Sequence, residues 1–513
     1  MKPSTELFKL IKSLSKSEKR FFKLSSTLQS GDKNYLRLFD YIDAKDEYNE
    51  DLLKKYFKNE RFIKHLPSEK NHLYRLILKS LRSFYAEQSV SSILKQEIKN
   101  IEILYTKALY KECEKFVVRA KELAKDYERF YFWFELISWE KKLLEQAYEA
   151  GEFSRSPDAI VEEEEHVLQL LRNLADYQII YSRINLIFRS GGFSRTESER
   201  AAVDEIANHP LIKGKNTALS TRASSMCYYI KGLCAATKQH FDESFGFFAR
   251  TREILDKNPL IRSDSGQRYV MTICYLLRCF IEKEQFIEAE KLLIDLRQLS
   301  SQKGFNSTDI QVRIFTSSTN LEFLLLQKTG KFNGCVDMIS NIENLQADFG
   351  EKISKEQEIL LTYHKAYSYF GVGEFRKALA YLNIVLNDNE QRLRKDVYSY
   401  ARIFNLIIHY ELGNDDYMEY LLKSTKRYLQ RHDRAFEVEK ICIEYIKKLP
   451  KATGSSDRLM LLERMKESLD ELFQHAQHRA ILEYFNVPAW IISKIYKITF
   501  GEAVLNQRQV ADF

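Results

Sequence analysis

Three pairs of residues in this chain have the types and spacing of metal ligands. Two are Glu-x-x-His strings and one is a histidine pair about one helical turn apart: Glu69/His72, Glu163/His166 and His475/His478. Such strings hold two metal ions when four helices of one bundle supply the ligands. Here the two strings lie 94 residues apart, and the sequence places no third ligand beside the histidine pair. We therefore expect structural or solvated side chains and no metal site.

Motifs for other kinds of catalysis are missing from the sequence. It contains no phosphate-binding P-loop, nucleophile elbow, zinc-protease helix or EF-hand loop. The cysteines form no Cys-x-x-Cys pair and lie in apolar helical stretches: Cys113, Cys227, Cys234, Cys274, Cys279, Cys335 and Cys442. This pattern is typical of reduced, buried thiols in a cytoplasmic protein. We expect a protein that is not an enzyme and needs no cofactor.

Positive charge is concentrated at the N-terminus. Fourteen Lys and five Arg against eleven acidic residues give residues 1–85 a net charge of +8, so the remaining 428 residues carry −1. Six cations on two predicted helices are candidate nucleic-acid contacts: Lys19, Arg20, Lys23, Arg75, Lys79 and Arg82. No tight glycine turn with helix-turn-helix spacing accompanies them. The other interpretation is a helical cap for the rest of the chain, with solvated cations on its faces.

The elements that would position these residues are predicted to be helices. Only 17 Gly and 7 Pro occur among 513 residues. An all-β sandwich needs a turn signal about every 8–12 residues, which this composition does not supply. No stretch approaches the roughly 18 consecutive apolar residues of a membrane span. Hydrophobic residues make up 44% of the chain, which is enough to bury a large core and excludes global disorder.

A short pattern recurs along the chain: an aromatic residue after a turn, a small residue three positions later, then apolar residues on one helical face. Five copies are clear: Tyr110/Cys113, Phe241/Ser244, Phe286/Ala289, Phe332/Cys335 and Phe375/Ala378. A small side chain lets the second helix of a hairpin approach the first, and the aromatic would fill the turn end. Weaker copies near Gly151–Phe153, Gly192-Phe193 and Tyr417 complete a mean spacing of about 44 residues, typical of helical repeats.

These residues resemble the tetratricopeptide-repeat family, and residues 359–390 form the best unit. The small and aromatic positions of that family are matched by Ala366, Tyr369, Phe375 and Ala378. Gly232 matches the first-helix glycine in another unit. The period of about 44 exceeds the family's roughly 34, and Glu390 stands where the terminal proline would be. The resemblance implies a right-handed α-solenoid with a concave surface that binds peptides or proteins and performs no chemistry.

The sequence therefore predicts an all-α protein in three parts. These are a basic N-terminal helical unit (1–90), a repeat array (91–450), and C-terminal capping helices with a tail (451–513). The leading hypothesis is a cytoplasmic, non-enzymatic scaffold that binds a protein or peptide on the concave face and has no membrane contact. The alternative is a nucleic-acid-binding regulator that uses the basic unit, with the repeats as its sensor.

Overall fold

A computed structural model describes residues 5–27, 34–148, 155–191, 194, 196–389 and 394–511. Within these ranges the chain is entirely helical and contains no strand, so the predicted all-α class is confirmed. The chain divides into two compact units, Met1–Val167 and Leu168–Phe513. The described residues contain no helix that is both long and apolar enough to cross a membrane. Two weaker repeat matches, Gly151–Phe153 and Gly192-Phe193, lie outside the described residues.

The described residues of the first unit form eight α-helices and the beginning of a ninth that continues into the second unit: α1 (Glu6–Ser13), α2 (Lys16–Thr27), α3 (Asn34–Asp43), α4 (Glu50–Tyr56), α5 (Leu66–Phe84), α6 (Val90–Thr106), α7 (Tyr110–Asp126), α8 (Phe130–Tyr148) and α9 (Pro157–Gly191). α1, α2 and α3 pack against α5 around a core confined to residues 7–77. A capping box begins α2, since the Glu18 carboxylate accepts from the Ser15 N–H at 2.6 Å and Ser15 Oγ accepts from the Glu18 N–H at 3.3 Å. α7 packs against both α6 and α8.

In the second unit, eighteen further α-helices lie within the part of the chain that the structure describes: α10 (Glu197–Ala207), α11 (Pro210–Lys213), α12 (Thr221–Thr237), α13 (Phe241–Asp256), α14 (Pro259–Asp264), α15 (Gly266–Glu282), α16 (Phe286–Gln298), α17 (Thr308–Lys328), α18 (Phe332–Asp337), α19 (Ile339–Phe349), α20 (Lys355–Gly371), α21 (Phe375–Leu386), α22 (Lys395–Glu411), α23 (Asp415–Arg431), α24 (Glu437–Lys448), α25 (Ser455–Phe473), α26 (Val487–Tyr496) and α27 (Phe500–Ala511). Short 3-10 helices occur at Arg61–His65, Leu299–Ser301, Gly350–Lys352, Leu449–Lys451 and Ala476–Glu483.

Helices of the second unit pack as sequential hairpins. α12 packs against α13, α15 against α16, α20 against α21, and α22 against α23. The first helices of successive hairpins also touch one another directly, in the order α15, α17, α20 and α22. α12 joins this series through the Tyr229 and Tyr275 rings, whose centroids are 5.9 Å apart. We call α12, α15, α17, α20 and α22 the first-helix layer.

The turns between paired helices share one backbone geometry. Seven turns in the described chain have a left-handed residue two positions before the next helix begins: Ala108, Glu128, Gln239, Glu284, Gly330, Gly373 and Gly413. In each turn the following N–H donates to the carbonyl five residues earlier, at 2.7–3.0 Å. This six-to-one bond is the Schellman motif that ends helices. The same turn geometry therefore recurs at the turns that the sequence pattern predicted.

The small residues of the predicted pattern are all fully buried. Cys113, Ser244, Ala289, Cys335 and Ala378 each have 0% of their surface exposed. Two of them touch the preceding helix twelve residues back: Ser244 Oγ donates to the Gly232 carbonyl at 3.1 Å, and Cys113 Sγ lies 3.5 Å from the Ile101 carbonyl. The aromatic partners differ in burial. Phe332 is buried, Phe241, Phe286 and Phe375 are half-buried, and Tyr110 is exposed.

The C-terminal residues do more than cover the last hairpin. The predicted capping helices of residues 451–513 are α25, α26 and α27, and the left-handed Lys497, with a φ of 54°, ends α26. Residues 480–505, the C-terminal segment, pack on the first-helix layer as far back as α15 and α17. Their side chains join a core that extends from Phe332 to Val504.

Candidate functional site

The C-terminal segment enters the first-helix layer through a charged residue. Glu483 accepts from Arg278 Nη2 of α15 at 2.5 Å and lies 3.7 Å from Lys328 Nζ of α17. Lys328 also binds Glu282 at 2.5 Å. Burial raises the pKa of Glu483, but the Lys328 and Arg278 charges outweigh it and hold that pKa below its ordinary value. Two adjacent first helices thus supply one cation each to a carboxylate that follows α15 by some two hundred residues.

The next residue of the segment, Tyr484, binds two further first helices. Its hydroxyl donates to Asp396 of α22, and its ring stacks on Tyr400 with centroids 4.4 Å apart. Asp396 also accepts from Arg394 at 2.7 Å. Burial raises the pKa of Asp396, but the charge and hydrogen bonds of Arg394 outweigh that effect and lower it. Tyr484 is therefore fixed by hydrogen-bonded and aromatic contacts, and the Asp396 carboxylate that it binds is itself held by an ion pair with Arg394.

Main-chain atoms of the segment are bound as well. The Tyr363 hydroxyl of α20 donates to the Tyr484 carbonyl at 3.2 Å. The Asn486 N–H donates to the Tyr367 hydroxyl, also at 3.2 Å. Both tyrosines are buried and lie one helical turn apart on α20. Tyrosine hydroxyls that bind main-chain groups recognise polypeptide as such, independent of its side chains.

Apolar contacts fix the remainder of the C-terminal segment. The Phe485 ring lies 4.8 Å from that of Phe404 and 5.2 Å from that of Phe370. Farther along, Trp490 Nε1 donates to Glu411 of α22 at 2.6 Å, and Phe485 and Trp490 are each 1% exposed. Aromatic side chains buried to this extent dominate the energetics of an interface. One part of the first-helix layer is therefore covered by the chain's own C-terminal segment.

A second part of the layer is open. A cavity of about 770 Å³ lies among α9, α12, α15, α17 and the beginning of α20. We call it the arginine cavity because three arginines line it: Arg222, Arg268 and Arg313. Its apolar and aromatic lining includes Tyr181, Tyr229, Met271 and Tyr275. Its size is within the range of roughly 300–1,000 Å³ found for ligand sites in proteins.

The three arginines of this cavity differ in their partners. Arg222 binds Asp264 and donates to Ser265 Oγ at 3.0 Å. Among the described residues, the guanidinium groups of Arg268 and Arg313 have no carboxylate within ion-pair distance and no hydrogen-bond acceptor. Burial lowers the pKa of Arg268, and the nearby Arg222 charge adds to that effect. A withdrawn cation without a counter-ion is costly, so the cavity favours an anionic occupant.

The cations predicted to contact nucleic acid fall into two groups. Lys19 and Lys23 pair with Asp43 at 2.5 Å and Asp40 at 2.7 Å. The other four are exposed and have no ion pair among the described residues: Arg20, Arg75, Lys79 and Arg82. Their helices, α2 and α5, pack together through Phe21 and Phe84, whose rings are 5.3 Å apart. A basic stripe of α5 therefore faces solvent beside α2.

Glu163, from one of the two Glu-x-x-His strings, has a structural role. Glu163 belongs to a buried ionic cluster that also contains Lys121, Glu140 and Arg155. Burial raises the pKa of Glu163, yet hydrogen bonds from Lys121 and Arg155 outweigh it and bring the pKa to about 2. No group of three or more potential metal ligands occurs among the described residues. All seven cysteines are free and buried, and burial raises the pKa of each thiol.

Sequence reasoning missed both parts of the site. A usable signal was present on α15, because Arg268 and Arg278 interrupt a largely apolar helix. A charge in such a position needs a counter-ion or a ligand. Comparisons with protein-family models, curated proteins and solved structures found no match to this chain. The function of the chain therefore has to be inferred from its own residues.

Proposed function

We propose that this chain is a non-enzymatic interaction scaffold that binds a protein or peptide on its first-helix layer. One observation carries the proposal: part of that layer already binds a polypeptide, the chain's own C-terminal segment. The contacts to Glu483, Tyr484 and Phe485 combine ion pairs, main-chain hydrogen bonds and stacked rings. Because this surface holds one polypeptide segment through such contacts, its chemistry is suited to bind a segment of another polypeptide.

The repeat architecture in this proposal is a right-handed α-solenoid of tetratricopeptide-like hairpins. It is supported by the shared turn geometry, by the buried small residues and by direct contacts between successive first helices. Gly232 supports it too, since a Cβ there would lie 2.8 Å from the Phe248 ring of the next helix. In such arrays each unit packs on its neighbours and the first helices line the binding surface.

The non-enzymatic part of the proposal rests on what the polar groups already do. Glu483, Asp396 and Glu163 are held ionised by cations in ion pairs. A general acid or base works best when its pKa lies near the operating pH, and these carboxylates are shifted away from it. Their arrangement favours structural and binding roles over proton transfer.

Site-specific photocrosslinking tests the scaffold proposal. A photoreactive amino acid is placed at Met271, which lines the arginine cavity, in the full chain expressed in its native cells. A matched probe replaces Ile294, an exposed residue on second helix α16. We expect a defined polypeptide adduct from position 271 and none from position 294. Equal adducts from both positions, or none from position 271, would contradict the proposal.

A second candidate function is nucleic-acid binding by the first unit, with the repeats as sensor. The observation that favours it is the solvent-facing, unpaired set Arg20, Arg75, Lys79 and Arg82 on two adjoining helices. Cations that contact phosphates release counter-ions, so binding must weaken steeply as salt rises. Arginine and lysine on an exposed helical face suit this sequence-independent contact.

Salt-dependent binding of mixed DNA and RNA to the full chain tests this second function. The variant R75Q/K79Q/R82Q removes three positive charges, as does the control K95Q/K99Q/K107Q on exposed positions of α6 and its following turn. If nucleic acid is a ligand, only the first variant lowers the salt slope, by about one for every phosphate that the variant no longer binds. An equal decrease in both variants indicates non-specific attraction and eliminates this candidate.

A further inference from the structure

We propose that the arginine cavity binds the carboxylate of an acidic residue in a partner polypeptide. The inference rests on the proposed scaffold function and names the chemistry by which the partner is recognised. It assigns Arg268 and Arg313 as the residues that receive the carboxylate. Tyr181, Tyr229, Met271 and Tyr275 then contact the apolar or aromatic neighbours of the acidic residue.

The charges within the cavity point to an anion. Three carboxylates line it, and each already has a partner. Asp264 binds Arg222, Asp309 accepts from Gln267 Nε2 at 2.5 Å, and Glu356 lies 3.9 Å from Arg394. The guanidinium groups of Arg268 and Arg313 are the two cations of the lining that no described carboxylate neutralises. The lining as a whole holds three arginines and three carboxylates, and Asp309 is bound by the uncharged Gln267. An incoming acid is therefore favoured locally, at the two half-buried guanidinium groups that make no ion pair with a described residue.

The chain itself shows how such an acid is bound. α15 and α17 supply Arg278 and Lys328 to Glu483 near their C-terminal ends. The same helices present Arg268 and Arg313 to the cavity nearer their N-terminal ends. These ends are adjacent too, because a Cβ on Gly266 would meet Ile310 at 2.7 Å. Two helices that run side by side thus carry two pairs of cations, and one pair holds a carboxylate.

The position and size of the cavity favour a polypeptide over a single small anion. Arg394 connects the two parts of the layer, since it lies near Glu356 in the cavity lining and donates to the Tyr484 hydroxyl at 3.4 Å. A partner chain in the cavity would therefore lie beside the C-terminal segment. About 770 Å³ accommodates several side chains. Tyrosines and a methionine in the lining provide the apolar surface that those side chains need.

Binding to the full chain is measured with two degenerate decapeptide pools. One pool has a fixed central Glu-Tyr-Phe, as at residues 483–485, and the other has Gln-Tyr-Phe. We expect the Glu pool to bind at least about tenfold more tightly, since removal of one partner of a desolvated charge pair is costly. R268Q and R313Q should each abolish this preference. The control R376Q, on an exposed arginine of α21, should retain it.

The alternatives give different results in the same titration. Equal binding of the two pools, unchanged in R268Q, overturns the carboxylate site but leaves the scaffold function standing. Absence of binding by both pools counts against the carboxylate site and the scaffold function together. Inorganic phosphate is titrated separately as a probe. If phosphate binds in an Arg268-dependent way while neither pool does, the cavity is a site for small anions and the polypeptide assignment is wrong. Thermal unfolding of each variant verifies that it is folded.

Discussion

Two pairs of cations on α15 and α17 differ in what covers them. Arg278 and Lys328 hold the Glu483 carboxylate under the C-terminal segment. Arg268 and Arg313 line an open cavity and have no described carboxylate partner. The same two helices supply one cation each in both places, and two things differ: Glu282 of α15 also binds Lys328, and the C-terminal segment brings Glu483 to the first pair alone. The first-helix layer is therefore one kind of surface, filled in one part and open in the other.

The turns that follow the first helices differ in their left-handed residue. It is glycine at Gly330, Gly373 and Gly413, and Gln239 or Glu284 in two earlier turns. Glu284 also lies beside the C-terminal segment, because it lines a cavity together with Glu483. At Gly330 the reason is packing as well as φ, because a Cβ there would lie 2.6 Å from the Gly501 carbonyl oxygen. The covered part therefore depends on glycine where the segment approaches the turn closely.

The largest expected effect comes from the aromatic contacts of the segment. Phe485→Ala should lower the free energy of unfolding by about 4 kcal/mol, since a fully buried phenylalanine leaves a cavity behind. Urea denaturation measures it. Ile294→Ala, at a position that is 57% exposed, is the control and should change stability by less than about 0.5 kcal/mol. Similar small effects at both positions would remove the distinction between covered and open surface.

Two glycine substitutions isolate the contact of the segment with the turn. A Cβ at Gly373 would meet no atom within 4 Å. Gly373→Ala should therefore lower the free energy of unfolding only by the strain of the left-handed backbone, about 1 kcal/mol. Gly330→Ala adds a clash with the Gly501 carbonyl and should cost about 3 kcal/mol in total. The difference between the two urea midpoints reports the docking of α27. Equal costs would mean that α27 does not pack on this turn.

Charge-neutralising variants compare the two cation pairs directly. Glu483→Gln leaves Arg278 and Lys328 with one carboxylate fewer and should lower stability by about 2 kcal/mol. The decrease is smaller than the one expected when a completely buried ion pair loses a partner. Arg268→Gln removes a cation with no counter-ion, so stability should stay the same or rise by up to about 1 kcal/mol. Urea denaturation of both variants tests whether their changes in stability have opposite signs. A substantial decrease in the stability of Arg268→Gln would show that this arginine is already neutralised.

The smallest effect concerns Tyr484 and pH. Tyr484→Phe removes the hydrogen bond to Asp396 and should cost about 1.5 kcal/mol at pH 7. The bond is made to the ionised carboxylate, whose pKa lies below its ordinary value of 3.8. The stability from this lowered pKa is present above the unfolded-state value and is lost as the pH falls through the folded-state value. Because the unfolded state is the same in both proteins, their difference should stay constant as the pH falls to about 5 and shrink only as the pH approaches the folded-state pKa of Asp396, below 3.8. A difference that already disappears between pH 7 and about pH 5 would refute a bond to the ionised carboxylate.

Local features of the fold were predictable because they depend on nearby residues. Phe241, Phe286, Phe332 and Phe375 each begin a helix after a left-handed turn, as their spacing predicted. Burial of Ser244 and Ala289 followed from the same pattern. The candidate site was not predictable, because it depends on contacts between distant residues. Arg278 and Glu483 are 205 positions apart, and no local period specifies that pairing.

Hydrogen exchange on the full chain, with and without the Glu-Tyr-Phe peptide pool, tests the central claim most directly. Amides that open less often when a ligand binds exchange more slowly. We predict added protection in α12 and in the N-terminal halves of α15 and α17, with none in the second helices α16 and α21 and none in α2 or α5. Protection confined to α2 and α5, or spread equally over first and second helices, would contradict a polypeptide-binding first-helix layer.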